Sequence, residues 1–187
     1  PRTLNLLVSQ DCNLRCGYCY ANHGTYGNEK KSMSYGTAKK CIDKLLNKDF
    51  RNHIAFFGGE PLLNFTLIKK INSYLNEKNL RAEYTMITNG TIMNDEIKNF
   101  INDNFLNLSI SLDGPKYIND GQRFGRVESV YDRIVETIDK LHHRNYPITI
   151  ESTVTKGSAD KLTEIVEHIS YLNIDSMALR SVKDVPP

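Results

Sequence analysis

His53-Ile54-Ala55-Phe56-Phe57-Gly58-Gly59-Glu60-Pro61 is the stretch on which the fold of this chain turns. A short, mostly apolar run reads as a strand. Gly-Gly and Pro then suit a strand-to-helix turn. The following Leu63–Asn76 sets Leu67, Ile68, Ile71, Tyr74 and Leu75 on one helical face. One strand, one turn and one amphipathic helix make a βα unit.

The same unit recurs outward in both directions. Strands are predicted at Thr3–Val8, His53–Phe57, Glu83–Thr88, Leu106–Leu112, Thr149–Val154 and Ser176–Arg180. Between them, Ser34–Asn47 groups Ala38, Cys41, Ile42, Leu45 and Leu46, with Ser34 as N-cap. Asn94 caps a helix that turns Ile97, Phe100 and Ile101 inward. Val130–His143 carries Ile134, Val135, Ile138 and Leu141. Ser158 is expected to cap Ala159–Leu172. Strict βα alternation predicts a parallel sheet with right-handed crossovers. Periodicity alone leaves a barrel and a doubly wound sheet both open.

The 187 residues suffice for one domain with a sizeable core. With 24 basic against 22 acidic residues, no pull toward nucleic acid or a membrane surface is implied. The pairs Lys30-Lys31, Lys39-Lys40 and Lys69-Lys70 lack interleaved aromatics and read as solvated faces. No apolar run approaches the roughly 20 residues that span a bilayer, and no signal peptide is visible. Four cysteines, three of them clustered, do not make a disulfide scaffold, so a reducing cytoplasm is the expected compartment. The chain starts at Pro1 and stops at Val185-Pro186-Pro187. We expect residues 1–187 to be one domain excised from a longer polypeptide.

Cys12, Cys16 and Cys19 form a Cys-x3-Cys-x2-Cys run directly after the first strand. A [4Fe–4S] cluster normally takes four thiolates; three leave one iron open to a non-protein ligand. A structural zinc site would want four closed ligands, and His23 could supply the fourth. Cys41, on the apolar face of the first helix, reads as a core residue.

Taken with Tyr20 after the last cysteine, Gly58-Gly59-Glu60-Pro61, Thr88-Asn89-Gly90 and Ser109-Ile110-Ser111-Leu112-Asp113-Gly114-Pro115, the run resembles the signature of the radical SAM superfamily. Within it, these motifs look like the SPASM/twitch branch of peptide and protein maturases. The resemblance implies an α/β fold, a partial (β/α)6 TIM-like barrel. It implies that Cys12, Cys16 and Cys19 hold a [4Fe–4S] cluster whose open iron chelates S-adenosylmethionine (SAM). Gly58, Gly59, Glu60 and Pro61 would receive the methionyl ammonium. Asn89 would contact the sugar, although Asn-Gly is also a turn pair. Ser111 and Arg123 would contact the ribose or the carboxylate, with Arg126 competing for Arg123's place. Tyr18 and Tyr20 would pack on the cluster or the adenine, and Leu179 would line the adenine pocket. Asp113 stands with Ser111 and Arg123 on this strand and its loop, while Gly114 and Pro115 read as turn residues.

The activity implied is reductive cleavage of SAM to a 5′-deoxyadenosyl radical that takes hydrogen from a peptide or protein substrate. Thioether crosslinking of cysteine in a ribosomal peptide comes first, since Ala21–Gly27 resembles the post-cluster loop of such maturases. An anaerobic sulfatase maturase forming formylglycine is the alternative. Either would carry auxiliary clusters beyond this segment and draw electrons from a flavodoxin or ferredoxin. A reading from another class is a non-catalytic zinc-binding α/β module.

Overall fold

The computed structural model describes residues 2–182. Pro1 and the terminal Val185-Pro186-Pro187 lie outside the described residues. Six strands form one parallel sheet in the order β1-β2-β3-β4-β5-β6. They are β1 Arg2–Ser9, β2 Asn52–Gly58, β3 Ala82–Thr88, β4 Phe105–Ser111, β5 Ile148–Val154 and β6 Ser176–Ser181. The helices are α1 Tyr35–Leu45, α2 Phe65–Glu77, α3 Asp95–Asn104, α4 Lys116–Gln122, α5 Val130–Lys140 and α6 Leu162–Ser170, with 3-10 turns at Pro61–Asn64 and Ala159–Lys161.

The monotonic strand order settles what periodicity left open. A doubly wound sheet reverses its order at a switch point. Here every right-handed crossover advances in one sense, so every helix lands on the same face. The result is a partial barrel with an outer helical layer.

Strand alternation then divides the side chains. Leu6 and Val8, Ile54 and Phe56, Tyr84 and Met86, Leu108 and Ile110, and Ile148 and Ile150 point to the helices and are buried. They meet Ile42, Ile68, Ile71, Ile101, Ile134 and Ile138 in one core. Each such side chain contributes about 1.5–3 kcal/mol when fully buried. The opposite residues face the barrel interior and are largely polar: Asn5, Thr85, Asn107 and Ser109 line a cavity of about 490 Å³ with Ala55, Phe57 and Ile87. Polar partners cross the strands on this face, as in Thr149–Ser176 at 2.8 Å and His53–Thr85 at 3.0 Å.

Local signals placed most boundaries. Ser34 Oγ accepts from Thr37 N and Asn94 Oδ1 from Ile97 N, as capping requires. Cys41 is half-buried and packs on the core. Three expectations need correction. Ser158 caps no helix: its hydroxyl accepts from Thr155 N, a 3-10 turn follows, and α6 starts only at Leu162. The helix expected to reach His143 ends at Lys140, where the His142 ring turns back to the Asp139 carbonyl. Helix α4 was not anticipated, because seven residues with one buried apolar side chain, Ile118, carry no readable period.

Candidate active site

All the motif residues gather at the C-terminal ends of the strands, where parallel α/β folds build their sites. The loop after β1 carries the three cysteines. It is stitched to the segment after α4 by an antiparallel bridge, Leu14 to Gly125. Arg15 N donates to Phe124 O at 2.7 Å, and Gly17 N to Gln122 O at 2.9 Å. Behind the cysteines the chain runs through Asn22, His23, Gly24, Tyr26 and Gly27, all at positive φ. That tight path brings Gly24 onto Gly59. A Cβ on Gly59 would lie 2.3 Å from the Asp11 carbonyl oxygen and 2.8 Å from Gly24 Cα. Only glycine fits this backbone-on-backbone contact.

Cys12, Cys16 and Cys19 open together on a cavity of about 330 Å³. Its walls include Gly58, Gly59, Asn89, Ser111, Arg123 and Thr153. Donors already point at the sulfurs: Leu14 N to Cys12 at 3.4 Å, His23 N to Cys19 at 3.2 Å, and Asn89 Nδ2 to Cys12 at 3.7 Å. Burial pushes the Cys12 thiol up to about 11 despite the Leu14 N–H, and the nearby Glu60 adds to the rise. Burial likewise raises Cys16, against the pull of Arg123. Such thiols part with their protons when a metal takes them. Among the described residues, no three His, Cys, Asp or Glu side chains gather around one point as a closed zinc site requires. The three thiols line one cavity, with N–H groups aimed at two of them. This donor set fits an iron–sulfur cluster, whose potential depends on hydrogen bonds to its sulfurs.

Glu60 does not reach the cavity. Its carboxylate is fully buried and accepts from Leu62 N at 3.0 Å, Thr88 Oγ1 at 2.8 Å and Asn89 N at 2.7 Å. Burial raises its pKa against those three donors. The sequence reading gave Glu60 a cation to balance; its three protein donors occupy it instead. It ties β2 to the end of β3 and so aims Asn89. Pro61 is buried at the start of the 3-10 turn and is not part of this cavity's wall. The cavity wall from this motif is therefore the Gly58–Gly59 backbone. Asn89 bridges Cys12 to Asn13 Oδ1 at 2.8 Å and accepts from Thr91 N, so it serves both the site and the turn.

Asp113, which the sequence left open between the site and a turn, turns out to be the hub. It is fully buried and accepts four bonds: from Tyr18 OH at 2.7 Å, Arg123 Nε and Nη2 at 2.9 Å each, and Thr153 N at 2.9 Å. Burial works against the Arg123 charge, yet Asp113 outweighs it and the net shift is upward. The Arg123 fork is thus committed to Asp113, so it cannot clasp a ligand carboxylate bidentately as the sequence suggested. Its Nη1, which meets no partner among the described residues, is left to the cavity. Ser111 lines the cavity from the end of β4. Tyr18 lies under the Arg123 guanidinium, 5.5 Å from ring centre to Cζ. Tyr20 is 69% exposed at the cavity mouth, edge-on to Tyr26.

Leu179 requires correction. Alternation along β6 turns it to the helical side, opposite buried Ser152, and its neighbour Arg180 lines the cavity while paired with Glu151. A second cavity of about 720 Å³ adjoins the first and shares Tyr18, Ser181 and Val182 with it. Phe124, Val154 and Lys156 complete its walls. Thr153 and Arg180 were missed in sequence, whereas the Ser-Leu-Asp-Gly-Pro run flagged Asp113 without its role as hub.

Residues 6–169 match the model of the radical SAM superfamily. An uncharacterised protein of Methanocaldococcus jannaschii is 36% identical over 185 residues, covering 96% of this chain and 62% of that protein. A cysteine-type anaerobic sulfatase-maturating enzyme of Clostridium novyi is 27% identical over 178 residues, covering 88% of this chain and 47% of the enzyme. Among solved structures, anSMEcpe with bound AdoMet superposes with a TM-score of 0.80 at 21% identity, over 97% of this chain and 51% of that one. Streptococcus suis SuiB bound to the precursor peptide SuiA gives 0.73 at 18% identity, over 98% and 40%. The chain spans roughly half the length of the relatives it matches.

Proposed function

Because the chain belongs to the radical SAM superfamily, we propose that it is the catalytic core of a peptide-modifying radical SAM enzyme. One observation carries this reading: three half-buried thiols and the bare Gly58–Gly59 backbone open on one cavity at the sheet's C-terminal end. Cys12, Cys16 and Cys19 would hold a [4Fe–4S] cluster. The Gly58–Gly59 carbonyls and Ser111 would receive the amino-acid end of SAM, Arg123 Nη1 a ribose hydroxyl, and Tyr18 and the second cavity its purine. Once bound, these cofactors supply a one-electron cleavage and a carbon-centred radical able to take hydrogen from an unactivated C–H bond.

The protein's own part is placement and exclusion. Asp113 neutralises Arg123 while fixing its direction, so Nη1 suits a neutral acceptor such as a hydroxyl or carbonyl better than a second anion. Glu60 holds Asn89, and Asn89 donates to Cys12. The Gly24–Gly59 contact seats the post-cluster loop close over the site and leaves no room for side chains there.

A peptide substrate is favoured by the sulfatase-maturating relative and by the SuiB neighbour, which binds a precursor peptide. Thioether crosslinking of cysteine remains our first reading, with auxiliary clusters in the rest of the polypeptide. Formylglycine formation is the second, favoured by the same sulfatase-maturating relative. The zinc-module reading keeps one point, the buried, unpartnered Nδ1 of His23 beside Cys19, but gives the later motifs no role. No helix among the described residues is long and apolar enough to cross a membrane.

The test is anaerobic. The full polypeptide is reconstituted with iron and sulfide, then given SAM and dithionite, with 5′-deoxyadenosine read by mass spectrometry. Its formation, lost when the three cysteines become alanine, is expected. A reconstituted cluster that never cleaves SAM, with or without peptide, would refute the reading.

A further inference from the structure

The sheet has two edge strands, and they are finished differently. On β1 the chain bends back and sets residues 31–33 against the edge beside the cysteines. Gln10 N donates to Lys31 O at 2.7 Å, Met33 N donates to Val8 O at 3.0 Å, and Ser9 and Ser32 form an antiparallel bridge. The ladder from β1 to β2 also slips between Leu7 and Ser9. The end of β1 nearest the site is therefore covered and kinked.

Strand β6 has no such finish. Its register with β5 runs from Thr149–Ser176 to Val154–Ser181 without a bulge. It holds neither Pro nor Lys, two residues that commonly blunt an edge. Val182 N donates to Val154 O at 3.0 Å. Alternate residues of a parallel strand bond the same neighbour, so Ser176, Ala178 and Arg180 turn their N–H and C=O groups to β5. Those of Met177, Leu179 and Ser181 turn outward. Among the described residues no strand lies beyond β6 and no group bonds to them.

The upper end of this bare edge is part of the site. Arg180, Ser181 and Val182 line the cavity on which Cys12, Cys16 and Cys19 open. At about 3.3 Å per residue, Leu179 lies about 7 Å and Met177 about 13 Å down the strand from Ser181.

We propose that the β6 edge binds the substrate as an added strand: an extended peptide pairs its backbone with Met177, Leu179 and Ser181, which delivers a neighbouring residue to the cavity. The inference rests on the function proposed above and deepens it, from a peptide substrate to the way that peptide is held. Main-chain bonds supply the affinity and fix the register while asking little of the peptide's sequence. Its side chains would alternate between Arg180, with its Glu151 partner, on the inner side and the exposed Leu179 on the outer. The β1 edge cannot take this part beside the site, because residues 31–33 occupy it.

The test uses the reconstituted full polypeptide with SAM, and as probe a synthetic heptapeptide of alternating threonine and valine around a central cysteine. Calorimetry reads affinity, and mass spectrometry reads hydrogen exchange at single amides. Exchange at Met177, Leu179 and Ser181 is expected to be fast without peptide and slowed about ten-fold or more with it. N-methylation of alternate peptide nitrogens should weaken binding about ten-fold in one parity and not at all in the other. Met177→Pro removes an outward N–H and no ladder bond, so it should weaken peptide binding about ten-fold. Met177→Ala loses the same packing but keeps the N–H; it should bind peptide as the wild type does, and all three proteins should bind SAM equally. Equal weakening by both variants assigns the loss to packing and overturns the proposal. Equal sensitivity to the two N-methyl parities overturns it too, as does a heptapeptide that does not bind. Slow exchange at the three amides before peptide is added overturns it as well, since another segment of the polypeptide then pairs with β6. A protein that protects these amides yet never forms 5′-deoxyadenosine refutes the functional reading alone; one that forms it with the peptide while the amides stay unprotected refutes this inference alone.

Discussion

Asp113→Asn is the sharpest perturbation the site offers. The change keeps the side chain's shape and removes one charge. Asp113 accepts two bonds on each oxygen: Tyr18 OH and Arg123 Nε on Oδ2, and Arg123 Nη2 and Thr153 N on Oδ1. An amide keeps one acceptor oxygen and puts a donor where the other stood. Whichever way it turns, two of the four bonds become donor-to-donor contacts, and Arg123 stays buried at 6% exposure without its counter-charge. Removing one partner of a buried pair costs about 3–5 kcal/mol. Arg123 cannot escape by losing its proton. With a urea m-value near the upper end of about 1–3 kcal/mol/M, the unfolding midpoint of the apo protein should fall by about 1–2 M. Adding Arg123→Met should recover much of the loss, since an apolar replacement of the whole pair is often nearly neutral. A midpoint shift below about 0.3 M, or two losses that simply add, would refute the hub.

Other outcomes follow from the same geometry. Gly59→Ala should cost several kcal/mol and abolish SAM binding by calorimetry, because its Cβ meets backbone atoms of Asp11 and Gly24 that cannot yield; a variant of wild-type melting temperature and affinity would contradict this. Glu60→Gln should lower stability by about 1–3 kcal/mol in urea, as Asn89 N loses its acceptor. Asn89→Ala, deprived of its donor to Cys12, should give a cluster of lower reduction potential in an EPR-monitored titration. In the apo protein, alkylation of Cys12 followed by peptide mapping should still be climbing above pH 9, because a thiol held near 11 keeps its proton there; a plateau by pH 8 would be inconsistent.

The strands, Ser34 and Asn94 could be read in sequence because each rests on a local cause: alternation, or a side chain reaching three residues on. The cavity-facing cysteines and glycines were legible for the same reason, since their spacing is short. The Asp113–Arg123 pair was not. The residues are ten apart, and only the angle between β4 and α4 brings them together. Glu60 was misread because a charge beside a glycine pair says nothing of which way the chain turns afterward. Leu179 was misassigned on a one-residue choice of face, the error to which a period of two is most exposed.

Among the described residues, the sheet begins at β1 and ends at β6 without the two pairing. A closed ring accepts a polymer only end-first, through its mouth. A ring with a gap along its side accepts one laid across it, both ends left outside. Under the function proposed above, an interior residue of a long, folded or even circular chain would reach the cavity with no terminus threaded past the cysteines.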